Sequence, residues 1–237
     1  MGLPPGILAW YLVRRLQREW RPSRGEDFDF LSGVLYVAFV LCAVKGLTGL
    51  DRPAIGLPLL MGAFITGFLF ARRSQRIPYP LMKMTLLTRN RVFAMSSLAT
   101  LINYASTHAV GFLLSLYLQV VKGFSHMHAG MVLMVQPVVQ SILSPVAGML
   151  ADRFDPTKLA SLGMALCVVG LLGMYKVQIN TDLWTIAIIL GIMGTGFALF
   201  AAPNMTVIMG SVESQDYSIA SSLVATMRTF GMSLSMG

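Results

Sequence analysis

A chain of 237 residues that is 55% hydrophobic and only 12% charged, with a mean hydropathy of +0.69, differs from soluble domains, in which about a quarter of residues are charged. Composition excludes an ordinary water-soluble domain and places the chain in the membrane class. The net charge of +8 is no argument for a nucleic-acid partner, because the basic residues gather at the ends of apolar runs, the pattern of chains oriented in a bilayer.

A spanning helix needs about twenty mostly apolar residues. Residues 3–13 form an apolar run too short to cross and read as the last part of a helix. No basic region precedes that run, so it is not a cleavable signal peptide. Longer runs follow at 31–50, 55–71, 92–121, 129–150, 159–177 and 183–209, and a seventh, 219–237, reaches the last residue. The expected fold is an all-α, polytopic transmembrane helix bundle, incomplete at both ends. Its expected parts are a helix end with the start of a cytoplasmic loop (1–20), a helix pair (31–71), a cytoplasmic linker (72–91) and a bundle (92–237). Within the linker, Pro78 and Pro80 preclude one continuous helix.

The connections alternate in charge. Arg14, Arg15, Arg18, Arg21 and Arg24 follow the first run; Arg72, Arg73, Arg76, Lys83, Arg89 and Arg91 precede residue 92; Arg153 and Lys158 sit between the fourth and fifth full runs. If each run crosses once, all of these share one side, and only Arg52, Lys122 and Lys176, with Lys45 close by, mark the other. The arginine-rich loops are therefore expected in the cytoplasm of a multi-pass cell-membrane protein.

Polar groups inside a span need a reason, because hydrocarbon offers them no partner. At about 100° per residue, Ser97, Thr100, Tyr104, His108, Gly111, Ser115 and Gln119 fall on one stripe of 92–121. Leu98, Ile102, Leu113, Leu116 and Val120 lie opposite. That pattern suits a helix between lipid and a watery cavity. His108, near mid-span, is either a proton carrier, since imidazole titrates near neutrality, or a neutral ring bonded to a neighbouring helix. Gln136 and Gln140, one turn apart, are candidates for cargo contact or for interhelical bonding. Pro137 and Pro145 are expected to bend the same span. Gly191, Gly194 and Gly196 read as close-packing positions, and Asn204, beside Pro203, either caps a freed carbonyl or faces the cavity. Arg228 must find water, an acidic partner or carbonyls, or snorkel to the interface. His126 and His128 lack a third ligand, so no metal site is expected. Cys42 and Cys167 lie inside apolar runs and imply no disulfide, and nothing in the sequence calls for a cofactor.

The turn between the fourth and fifth full runs reads Gly148-Met-Leu-Ala-Asp-Arg-Phe-Asp-Pro-Thr-Lys158, with Asp155-Pro156 as a helix start. In Gly148, Leu150, Asp152, Arg153 and Lys158 it resembles the gating-loop signature of the major facilitator superfamily. Asp155 and Pro156 stand where that family usually has Gly and a basic residue. Residues 114–123 resemble the end of the seventh core helix. Residues 194–204 and 221–231, with Arg228 and Gly231 in an Arg-x-x-Gly pattern, resemble the tenth and eleventh core helices of drug:proton antiporters, although Ser218 stands where those proteins usually have Gly. The pair at 31–71 is similar to the extra helices of the fourteen-helix EmrB/QacA-type group, so that 92–237 corresponds to a partial C-terminal transporter bundle.

The resemblance implies a secondary active transporter with alternating access, exporting drugs or other small lipophilic or cationic compounds in exchange for protons. Its partners would be the lipid bilayer, the cargo, protons and the N-terminal helix bundle absent from this chain. Two other classes compete with it. An inactive truncated membrane protein or scaffold is the alternative. A membrane-embedded enzyme is more remote, because no nucleophile–base pair, metal-binding pattern or carboxylate pair at membrane depth is present.

Overall fold

The structure, a computed structural model, describes residues 29–49, 53–74 and 84–236. The chain clusters into two units, Met1–Phe30 and Leu31–Gly237, and only Asp29 and Phe30 of the first are described. The expected helix end and loop start at 1–20 therefore lie outside the described residues, as do Pro78 and Pro80.

The described elements are helices, with no strand among them: α1 (Phe30–Thr48), α2 (Pro53–Ser74), α3 (Met84–Arg89), α4 (Arg91–Leu116), α5 (His126–Leu133), α6 (Val135–Arg153), α7 (Pro156–Tyr175), α8 (Leu183–Gly210) and α9 (Tyr217–Met236). Six segments are long and apolar enough to cross a membrane: Phe30–Leu47, Ala54–Ser74, Arg91–Val121, His126–Arg153, Pro156–Tyr175 and Leu183–Gly210. They match the first six expected runs. The seventh forms a helix, α9, but is not apolar enough to join them, because Ser218, Ser221, Ser222, Thr226, Arg228, Thr229, Ser233 and Ser235 interrupt it. Within the expected linker, α2 continues to Ser74 and α3 occupies Met84–Arg89.

Local signals fix the helix ends. Asn90 accepts the Phe93 amide at 3.0 Å to start α4, and Asp155 accepts the Thr157 amide at 2.9 Å to start α7, with Pro156 at the first helical position. After Leu116 the helix widens into a π turn, Tyr117–Val121, whose ring closes from Lys122 N to Tyr117 O at 3.1 Å. Gly123, at φ +68°, ends it in a conformation that suits glycine. Pro137 lacks the N–H that would reach the Leu133 carbonyl, and its ring crowds that carbonyl. The run expected as one span accordingly breaks at Met134 into α5 and α6.

α8 is the central post. Half of its apolar window is buried, against 6–22% in the other five spans. It packs along α6 and α7, and α9 packs along α4. Small residues set the distances. A β-carbon on Gly163 of α7 would lie 2.5 Å from the Phe200 amide nitrogen of α8, and one on Gly194 would lie 2.6 Å from the Gln136 carbonyl of α6. A β-carbon on Gly196 would lie 2.8 Å from Cys167 Sγ, while one on Gly191 would meet open space. Two of the three expected packing glycines therefore pack.

Apolar clusters close both ends of the bundle. Leu114, Leu118, Ala129, Ile186 and Leu190 form one; Phe93, Ile208, Ala220 and Leu223 form the other. Many other large apolar side chains point outward, among them Phe64 (77% exposed), Val120 (77%) and Ile142 (65%). In water that surface would be a liability, whereas in lipid it is the solvated face. Tyr175 and Trp184 stand exposed at the ends of α7 and α8, where an interfacial aromatic belt belongs.

Candidate functional site

One set of polar groups meets between α4, α8 and α9. Asn204, 6% exposed on α8, donates Nδ2 to Thr100 Oγ1 at 2.9 Å and to the Ser96 carbonyl at 3.2 Å on α4. Thr100 in turn donates to the Ser96 carbonyl at 3.0 Å, closing a small ring of bonds across the interface. Beside that ring lies a cleft of about 280 Å³, lined by Thr100, Tyr104, Asn204, Ser221 and Arg228, with Phe200, Met205 and Val224 as its apolar wall.

Tyr104 is held edge-on to Phe197, ring centroids 5.9 Å apart. Arg228, near the middle of α9, is exposed into this cleft and has no partner among the described residues. In hydrocarbon a guanidinium costs at least about 2.5–3.5 kcal/mol, and the side chain instead lines a cleft with polar neighbours. Asn204 binds α4, so of the two roles expected for it, capping a freed carbonyl of its own helix is not the one adopted.

The expected stripe on α4 splits. Ser97 and Thr100 are buried, but the buried row continues through Asn103 and Thr107 to Leu114 and Leu118, whereas Tyr104, Gly111, Ser115 and Gln119 are half-buried and His108 is exposed. The two rows part after Thr100 by a single residue. Asn103 lies off the expected stripe, although Thr100, Asn103 and Thr107 follow helical spacing. Its amide lies in hydrogen-bond contact with the Cys167 thiol, while Asn103 Oδ1 and Ser97 Oγ are buried without a bond among the described residues.

Other candidates lie apart from the cleft. Gln119 donates to Ser115 Oγ at 2.8 Å and bonds His126 Nδ1, linking the π turn to the start of α5. Lys122 reaches the Thr181 carbonyl at 2.9 Å and Tyr117 the Gln178 carbonyl at 2.7 Å, which tie the same end to the loop before α8. His128 is engaged by Ser125, and among the described residues no three His, Cys, Asp or Glu side chains gather for a metal. Gln136 and Gln140 are half-buried on α6. In the turn between α6 and α7, Asp152, Arg153 and Lys158 are exposed and pair with nothing described, and Gly148 has open space above its α-carbon.

The helix pair α1–α2 is itself glycine-packed: a β-carbon on Gly56 would lie 2.6 Å from the Gly49 carbonyl. It docks on α9 through a Tyr36–Thr226 hydroxyl bond and a Phe39–Phe230 ring contact at 5.5 Å.

Comparison with known proteins gives a context for this arrangement. Residues 2–236 match the family profile described as Major Facilitator Superfamily. Over 99% of the chain, 27% of residues are identical to the riboflavin transporter RibZ of Clostridioides difficile, of which the match covers 51%. The multidrug resistance protein Stp of Mycobacterium tuberculosis is 24% identical over 99% of this chain and 44% of its own length. The methyl viologen resistance protein SmvA of Salmonella typhimurium is 25% identical over 92% of this chain and 44% of its own. The chain spans about half the length of the curated relatives it matches.

Proposed function

This chain belongs to the major facilitator superfamily, and from that premise we propose that it forms one half of a proton-coupled exporter of small lipophilic compounds. It is a multi-pass membrane protein of a transporter family, not of an enzyme family. The observation that carries the proposal is the cleft between α4, α8 and α9, where a mid-helix guanidinium, Asn204 and Tyr104 meet beside an apolar wall. A polar-lined cleft of this kind suits alternating access between two helix bundles.

In this reading α4–α9 form part of one bundle, α1 and α2 are an added pair lying against it, and the companion bundle comes from a segment outside this chain. The arginine-rich segments around Arg72 and Arg91 and the Asp152–Lys158 turn face the cytoplasm, and Lys122 and Lys176 face outward. His108, exposed on α4, is the proton carrier on this side of the transporter. Asp152, Arg153 and Lys158, unpaired in this state, engage the companion bundle when the cytoplasmic side closes.

The reading is tested by dye retention in cells that do or do not carry the gene. Lower retention of lipophilic dyes that a protonophore abolishes is expected. Equal retention of every dye, with the protein present in the membrane, would sink it.

A further inference from the structure

We propose that the cleft between α4, α8 and α9 selects cargo by an anionic group, such as a carboxylate carried on a flat apolar body. This deepens the transporter reading above and rests on it. The argument starts from which polar groups in the cleft are still free to bind. Thr100 Oγ1 is bound to Ser96 and to Asn204, and the Asn204 amide is spent on α4. Ser221 donates to its own helix at the Tyr217 carbonyl, 2.8 Å away. What remains is the Arg228 guanidinium and the Tyr104 hydroxyl, neither with a partner among the described residues.

Guanidinium has five N–H donors and no acceptor, and it takes carboxylates in a two-point fork. Tyr104 supplies a further donor from a ring already fixed against Phe197. Among the described residues no Asp or Glu lines the cleft, so a cation entering it meets the like charge of Arg228. Low-dielectric walls sharpen that discrimination. Phe200, Met205 and Val224 offer the surface on which a ring would rest. At about 280 Å³ the cleft is below the usual range for a whole drug-sized ligand, so it holds the charged end of a cargo whose remainder lies toward the companion bundle.

Two xanthene dyes of opposite charge test this: fluorescein, an anion, and rhodamine 6G, an esterified cation. Binding to the purified chain in lipid nanodiscs is read by fluorescence anisotropy. Fluorescein should bind at least about tenfold more tightly. Arg228→Gln should abolish that preference, and Arg228→Lys should keep part of it, with helical content confirmed for both. Equal or tighter binding of rhodamine 6G by the parent chain overturns the proposal, as does a preference that survives in a folded Arg228→Gln protein. Export of both dyes from cells separates the two levels. Rhodamine 6G exported and fluorescein retained overturns anion selection and leaves transport standing. Fluorescein preference in nanodiscs with neither dye exported supports the cleft chemistry and overturns the transport reading.

Discussion

Gly231 of α9 sits directly against the backbone of α4: a β-carbon there would lie 2.5 Å from the Leu101 carbonyl oxygen and 3.0 Å from Tyr104 Cβ. This contact holds α9, and with it Arg228, at the distance that makes the cleft. Gly231→Ala should push the helices apart and cost about 1–3 kcal/mol, the range for overpacking a tight interface. Gly111→Ala, on the same α4 but with open space around it, should be neutral or stabilising by up to about 1 kcal/mol through helix propensity. Apparent melting temperatures in detergent would rank the two variants against the parent.

Asn204 joins α8 to α4, and its loss leaves Thr100 and the Ser96 carbonyl short of a donor. Interhelical bonds in membranes average about 0.6 kcal/mol and reach about 1.7, so Asn204→Ala should lower stability by that order. Thr100→Val in the same background should add little, because the two side chains act as one unit. Fully additive losses in a double-mutant cycle would mean that the pair is not coupled.

His108 is exposed and unbonded among the described residues. An imidazole can take up and release a proton. His108→Ala should flatten or displace the pH profile of export while leaving cargo affinity within about twofold. An unchanged profile removes His108 from the proton path.

Asp152 has no partner in this state, so its neutralisation should matter in the closing step and not at the cargo site. Asp152→Asn is expected to lower the export rate about tenfold or more, a loss of the size expected when a charge-assisted bond is removed, with binding of the same cargo unchanged. Equal loss of rate and affinity would count against a gating role.

The sequence made the fold readable because lipid imposes a simple rule: apolar runs of fixed length become helices whose backbone bonds close internally. Charge punctuation, the Asp155-Pro156 start and the glycines at 194 and 196 were legible for similarly local reasons. The break at Met134 was half visible: Pro137 announced a bend, and the structure places the interruption three residues before it. The cleft was harder. A helical projection treats α4 as an ideal rod and assigns one wet face, and it placed His108 beside Thr100. Packing selected a different row, through Asn103 and Thr107, with Asn103 turned to Cys167 of α7, while Gly231 meets α4 on its Leu101, Tyr104 and Ala105 side. That Arg228 would stand beside Asn204 is a relation between helices, and no periodicity within either helix encodes it.

The most direct test of the account asks whether the two ends of this bundle lie across a bilayer from each other. Single cysteines at Lys122 and Lys158, in a Cys42→Ser, Cys167→Ser background, would be treated in intact cells with a membrane-impermeant maleimide. The account predicts labelling of Lys122→Cys in intact cells and of Lys158→Cys only after permeabilisation. Labelling of both from the same side of intact cells would contradict it.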